Sequence, residues 1–238
     1  MKRNIRLISV LLVLVLALGL ILTGCGNKAA AEPKNAVYVT LSNAGEIGTD
    51  KDGNYIAALA LEIPEAGSKV GDVIKSLHKT YSKGGEADFA TIESQYGPMI
   101  SKMWGVENGG SYGYYINGAM AMSLDDPVKV GDTVDLMIYK DAAGFSDQYI
   151  VLTATASGTN VTAKVEAMGF DANYAPVMSA LKGAKLYYVD GKKLVDTKAV
   201  TGEDGTATFT LKAGTYRIVA VNTDGVYSAA AVKLVVSK

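Results

Sequence analysis

The spacing of apolar residues changes period several times along the 238-residue chain. A nearly continuous apolar run from Leu7 to Leu22, broken only by Ser9 and Gly19, follows the charged start Lys2, Arg3 and Arg6. It is shorter than the roughly 20 residues a spanning helix needs, and its charged-then-apolar order predicts an export signal. From Val37 to Ser42 apolar and polar positions alternate, predicting a strand. A turn cluster, Gly48 to Asn54, then leads to a second strand over Ile56–Ile63, completing a hairpin. The period then lengthens: Val70, Val73, Ile74, Leu77 and Tyr81 lie on one face of a helix, with Ser68 as its N-cap and Lys83-Gly84-Gly85 as its stop. A short strand is predicted over Asp88–Ile92 and a helical turn over Pro98–Met103. Tyr112–Ile116 reads as a strand ending in the tight-turn pair Asn117-Gly118, and Val134–Tyr139 reads as another. Lys-Val-Gly-Asp occurs at 69–72 and 129–132, but the residues after it have helical period once and strand period once, so it marks no repeat.

After the polar bridge Asp141–Asp147, strand-like runs recur at Tyr149–Thr155, Val161–Ala167, Ala184–Tyr188, Lys198–Thr201, Thr206–Leu211, Tyr216–Val221 and Ala229–Val236. Turns punctuate them at Asp190-Gly191, Asp204-Gly205, Ala213-Gly214 and Asp224-Gly225. Many short strands with regular turns predict an antiparallel sandwich. The fold class is therefore mainly β with an α+β part: a mixed sheet with one main helix, then an antiparallel sandwich. The expected boundaries are a leader over 1–24, a tether over 25–35, a first domain over 36–148 and a second over 149–238.

Cys25 is the only cysteine, so no disulfide braces the chain and no other thiol is available as nucleophile or metal ligand. It closes Leu22-Thr23-Gly24-Cys25, a word that resembles the bacterial lipobox. The resemblance implies cleavage before Cys25, a lipid on its thiol and an extracytoplasmic protein anchored to the membrane. Removing the first 24 of 238 residues leaves 214 and takes away Lys2, Arg3 and Arg6, moving the formal net charge from −1 to −4. A mildly acidic chain lacks the basic footprint of a nucleic-acid binder. Stable attachment would rest on acyl chains, at roughly 0.8 kcal/mol per buried CH₂.

Hairpin, helix and further strands follow the order of a β-grasp. Over about Val37–Lys140 the words Gly71-Asp-Val-Ile-Lys-Ser-Leu77, Met103-Trp-Gly105, Tyr114-Tyr-Ile-Asn-Gly118 and Val130-Gly-Asp-Thr-Val134 look like the transcobalamin-like C-terminal domain family. That resemblance implies a ligand-binding β-grasp and makes a corrinoid, such as cobalamin, or a related tetrapyrrole the first ligand to consider. No counterpart of the large helical domain of the animal carriers is visible, so cobalamin specificity is not carried over. The second half, through Gly183–Tyr188, Thr201–Gly205, Thr206–Leu211 and Gly214–Val219, is similar to prealbumin-like and carboxypeptidase-regulatory-like modules. This implies an Ig/prealbumin-like sandwich and is nearly silent on function.

Catalytic chemistry is sparse. The single histidine, His78, cannot build a multi-histidine zinc site; it reads either as a surface or boundary residue of the helix or as an axial ligand to a corrinoid cobalt or haem iron. Asp50–Asn54 has the wrong spacing for a calcium loop. Asp88, Glu93 and Asp125-Asp126 have nothing to orient them and read as surface charge. Lys164, Glu166 and Asn222 are conceivable isopeptide partners. The richest feature is aromatic and thioether: Tyr96, Met99, Met103, Trp104, Tyr112, Tyr114, Tyr115, Met120 and Met122. Such residues suit flat apolar ligands or an interface, and at each position the sheet core is the competing reading. The expectation is a non-enzymatic binding protein whose ligand stacks on Trp104 and Tyr112 or Tyr114, with Met103 and Tyr96 beside it and Asn117 hydrogen-bonding polar edges. The alternative is a surface module that binds proteins or the cell wall, with no small-molecule ligand.

Overall fold

Val37, Val39 and Leu41 point to one side of their strand, and Tyr38, Thr40 and Ser42 to the other, because side chains alternate along extended backbone. In the computed structural model, which describes residues 32–95, 97–109, 111–141, 146–223 and 226–238, neither side faces open water. Strand β1 (Ala36–Asn43) turns at Ala44-Gly45 into β2 (Glu46–Ile47), and after the turn through Thr49 and Tyr55 the chain returns as β3 (Leu59–Glu62). The short β4 (Ser68–Lys69) precedes helix α1 (Val70–Tyr81). Its N-cap is Lys69, with no side-chain cap. Ser68 is not the expected cap because it pairs with Val128 in extended conformation.

After a 3-10 turn over Gly85–Asp88 come β5 (Ala90–Ser94) and β6 (Gly97–Lys102). The expected helical turn over Pro98–Met103 is thus a strand, paired with β5 into a hairpin that turns at Gly97 with φ of +95°. Next come β7 (Tyr112–Ile116), β8 (Ala119–Met120), β9 (Pro127–Val128) and β10 (Thr133–Ile138). The main sheet runs β2-β1-β10-β7-β8, with β3 sharing the β2 edge of β1. β1 and β10 are parallel, and β7 is antiparallel to β10. Asn117 and Gly118, both at positive φ, form the tight turn between β7 and β8. On one face Val37, Val39, Leu41, Val134, Leu136 and Ile138 meet Val70, Val73, Ile74 and Leu77 of α1 in a closed core. Each fully buried aliphatic side chain there contributes about 1.5–3 kcal/mol.

The remaining strands form two four-stranded sheets. β11 (Ile150–Ser157), β12 (Asn160–Phe170), β13 (Pro176–Ala180) and β16 (Thr206–Thr210) make one, with β13 and β16 pairing to different stretches of β12. β14 (Lys185–Asp190), β15 (Lys193–Val200), β17 (Gly214–Val221) and β18 (Ala230–Val236) make the other, in the order β15-β14-β17-β18. Ile150, Leu152, Val161 and Val165 from the first share an apolar core with Leu186, Ile218, Ala220 and Leu234 from the second. β13 has no counterpart in the sequence reading; every one of its residues is exposed, so it carries no buried alternation. The protein is mainly β.

Pro33–Lys238 is one compact unit, and the second face of the main sheet is where its two lobes meet. The Ser42 hydroxyl of the first lobe accepts from the Ala229 N–H of the second at 2.8 Å. Ile47 and Ala57 pack against Val219 and Ala229. The buried Ser42 therefore serves the lobe contact and not a solvated sheet face, while the Thr40 hydroxyl accepts from the Ala58 N–H within the first lobe.

Candidate functional site

The second face of β7 and β10 carries Gly113, Tyr115, Asp135 and Met137, and Tyr139 follows β10. Tyr115 lies between Met120 of β8 and Asp135 of β10 in the sheet register. Its ring stacks on that of Tyr149, just before β11, with centroids 3.6 Å apart and planes 5° from parallel. Gly113 makes room for this arrangement: a Cβ there would lie 2.8 Å from the Tyr115 ring and 3.1 Å from the Tyr139 hydroxyl. The Tyr149 hydroxyl donates to Asp135 Oδ2 at 2.5 Å, and Tyr115 and Tyr139 are hydrogen-bonded to each other. Tyr115, Met137, Tyr149 and Met168 form a small apolar cluster joining the lobes.

Beside that cluster is a cleft of about 570 Å³, bounded by Tyr115, Met120, Tyr139, Tyr149, Met168 and Phe170, with Ser146, Asp147 and Gln148 completing its wall. The volume lies within the roughly 300–1,000 Å³ of small-molecule sites. Asp147 is 7% exposed, and its carboxylate accepts the N–H groups of Lys140 at 2.6 Å and Asp141 at 2.9 Å. Two other depressions are of similar size. One, about 590 Å³, is an open groove lined mainly by threonines of β12, β15 and β16; the other, about 650 Å³, lies beside Pro33 and β3. Neither combines aromatic rings and thioethers from two lobes, so the interlobe cleft has the more ligand-like chemistry.

A smaller cavity of about 280 Å³ is bordered by Asn117, Thr133, Asp135, Tyr149 and Val151. Burial pushes the Asp135 carboxyl up to about 6, partly offset by hydrogen bonds from Tyr149 and Thr40. Burial also pushes the hydroxyls of Tyr115 and Tyr149 well above the usual tyrosine range, so neither serves as a base. The Asn117 amide is engaged in the turn, donating to Asp132 and accepting from the Thr133 N–H. Asp135 therefore has no free nucleophile or second titrating carboxylate from this cavity's wall to work with.

The described residues expected to hold the ligand lie outside this cleft. Met103 is fully buried, and Trp104, Tyr112 and Tyr114 pack against the helix core. The Tyr112 hydroxyl donates toward the carbonyls of Val106 (2.7 Å) and Ser101 (3.1 Å), and accepts from the Asn108 N–H. Trp104 Nε1 donates to the Thr49 carbonyl. Trp104 has a φ of +53° in the tight turn before Gly105, and its backbone N–H donates to His78 Nε2 at 2.8 Å. None of these four lines the interlobe cleft; Tyr115 and Met120 do. Tyr96 and Cys25 lie outside the described residues.

His78 is neither a surface nor a boundary residue: it is fully buried. Its Nδ1 bonds the Ile74 carbonyl at 2.7 Å, so both ring nitrogens are engaged and none is left for an axial metal bond. No cluster of three metal-ligating side chains occurs among the described residues. Asp50 caps its own turn, Asp125 pairs with Lys69, and Asp126 accepts the N–H groups of Met122 and Ser123. Lys164 pairs with Glu166, whereas Asn222 donates to the Lys182 carbonyl, which separates the conceivable isopeptide partners.

Tyr139, Tyr149, Met168 and Phe170 are the cleft residues that sequence reasoning missed. One signal was available: Met137 and Tyr139 share their strand face with Asp135, so a large apolar ring and a thioether stand where a solvated sheet face would be polar. No known protein family and no curated protein matches this chain. No helix among the described residues is long and apolar enough to cross a membrane.

Proposed function

We propose that this chain is a lipid-anchored extracytoplasmic binding protein that captures a flat, largely apolar ligand in the interlobe cleft without chemical change. The cleft carries this reading: aromatic and thioether side chains from two separate lobes enclose a space of small-molecule size. A β-grasp first lobe is supported by the central parallel pair β1 and β10, the order β2-β1-β10-β7-β8 and the one helix packed on the sheet. Two four-stranded sheets around a common core support a prealbumin-like second lobe. The lipobox supports the anchor. The transcobalamin-like words make corrinoids and related tetrapyrroles the first ligands to test, with the ring edge entering between Phe170 and Met120.

The test is a thermal-shift and absorbance titration with cobalamin, cobinamide and haem. A ligand at a hundredfold excess over its Kd adds about 2.7 kcal/mol to the folded state. Phe170→Ala should weaken a ligand that binds here, while Trp104→Ala should not. Binding lost with Trp104→Ala and kept with Phe170→Ala would move the site away from the cleft.

One observation favours a second reading, a surface interaction module. The β12–β13 hairpin presents Phe170, Tyr174, Val177 and Met178 to solvent, with Tyr174 86% exposed. Clustered exposed apolar groups mark interaction surfaces. On that reading no small molecule shifts the melting temperature.

A further inference from the structure

We infer that the interlobe cleft selects an organic cation, a ligand with a flat apolar body and a positively charged nitrogen, over neutral and anionic molecules of the same shape. The inference rests on the binding reading above and adds the sign of the charge.

Four aromatic rings border the cleft, those of Tyr115, Tyr139, Tyr149 and Phe170, with the thioethers of Met120 and Met168. Ring faces are electron-rich and attract cations, most strongly where water is excluded. Tyr149 is further enriched, because its hydroxyl proton is directed to the Asp135 carboxylate. The charged groups point the same way. No Lys, Arg or His borders the cleft among the described residues.

Asp147 lies in the wall, more than nine-tenths buried, and its carboxylate is held by two backbone N–H groups and not by a cation. Ser146, also in the wall, donates its hydroxyl to the Asp141 carboxylate at 2.7 Å. Lys140 meets Asp147 through its backbone, and its side chain is not part of the lining. A carboxylate next to low-dielectric walls acts over a longer range than one in water. An entering cation therefore meets an aromatic wall and an acid with no cationic partner among the described residues, whereas an entering carboxylate meets the same acid with no described cation to pair it. Haem, with its two carboxylates, has the wrong sign for this cleft.

The experiment is calorimetric titration of the full chain in lipid nanodiscs, with empty nanodiscs as blank, using quinoline, N-methylquinolinium and quinoline-6-carboxylate at pH 7.5. The cation should bind about tenfold more tightly than quinoline, and the carboxylate more weakly still. Raising the salt concentration should narrow the difference. Phe170→Leu keeps apolar bulk but removes a ring from an exposed position where folding is not at stake. It should reduce the advantage of the cation over quinoline severalfold, and Asp147→Asn should reduce it as well. Equal affinities for quinoline and its methylated cation would overturn the charge preference and leave the cleft as a binding site. No binding of any probe would overturn both. A cation preference unchanged by Phe170→Leu and Asp147→Asn would place the site elsewhere and overturn the inference.

Discussion

Replacing Asp135 by asparagine should make the protein more stable at pH 8 and leave its stability at pH 3.5 unchanged. Asp135 is half-buried as a residue, and it sits between Thr40 of β1 and Tyr115 of β7 beneath the second lobe. Its carboxylate receives hydrogen bonds from Tyr149 and Thr40, both neutral donors, and the causes of its shift include no cation. Desolvation wins over those two bonds and raises the carboxyl from 3.8 to about 6. A group whose folded value is raised contributes most below its unfolded value, and that contribution is lost as pH rises through the folded value. Two pH units at 1.36 kcal/mol each give a penalty of about 3 kcal/mol above pH 6, an upper figure because the residue keeps some contact with solvent.

Asparagine removes the charge and keeps the geometry. Its oxygen accepts from Tyr149, and the Thr40 hydroxyl, which already accepts from the Ala58 N–H at 3.2 Å, turns to accept from the new amide. For a domain of this size each kcal/mol shifts Tm by about 2–4 °C, so the variant should melt higher at pH 8, by at most roughly 6–12 °C. Urea unfolding of both proteins at pH 3.5, 5, 6 and 8 measures the difference, which should grow between pH 4 and 6 and then level off. A difference that does not change with pH, or a variant less stable at pH 8, would refute the assignment of a desolvated carboxylate.

Two further outcomes test other parts of the fold. His78, lowered from 6.5 by burial, keeps its stabilising contribution above pH 6.5 and loses it as pH falls toward its folded value. His78→Leu should flatten that acid loss in denaturant titrations and cost about 1–3 kcal/mol at pH 8, because the Trp104 N–H loses its acceptor; an unchanged acid slope would exclude His78 as its source. Gly205→Ala places a Cβ 2.5 Å from the Val165 carbonyl at a φ of +73°, so a loss of about 2–4 kcal/mol is expected by urea unfolding, and a change under 0.5 would contradict this packing.

The strands and the helix were legible where one face of an element is buried and the other is not. Val70, Val73, Ile74, Leu77 and Tyr81 announce α1, and Asn117-Gly118 announces a turn that needs two residues at positive φ. β6 and β13 were missed because neither carries a clean buried alternation. In the sequence, Trp104 and Tyr112 look as available for a ligand as Tyr115 does. Alternation along β7 settles that Tyr112 faces α1 and Tyr115 does not, but it does not say that a second lobe covers the opposite face. Only the tertiary structure places Tyr149 and Phe170 against Tyr115 and Met120. Burial likewise gives Asp135 its raised carboxyl and His78 its engaged ring, since desolvation depends on what surrounds a group from every side and not on its neighbours along the chain.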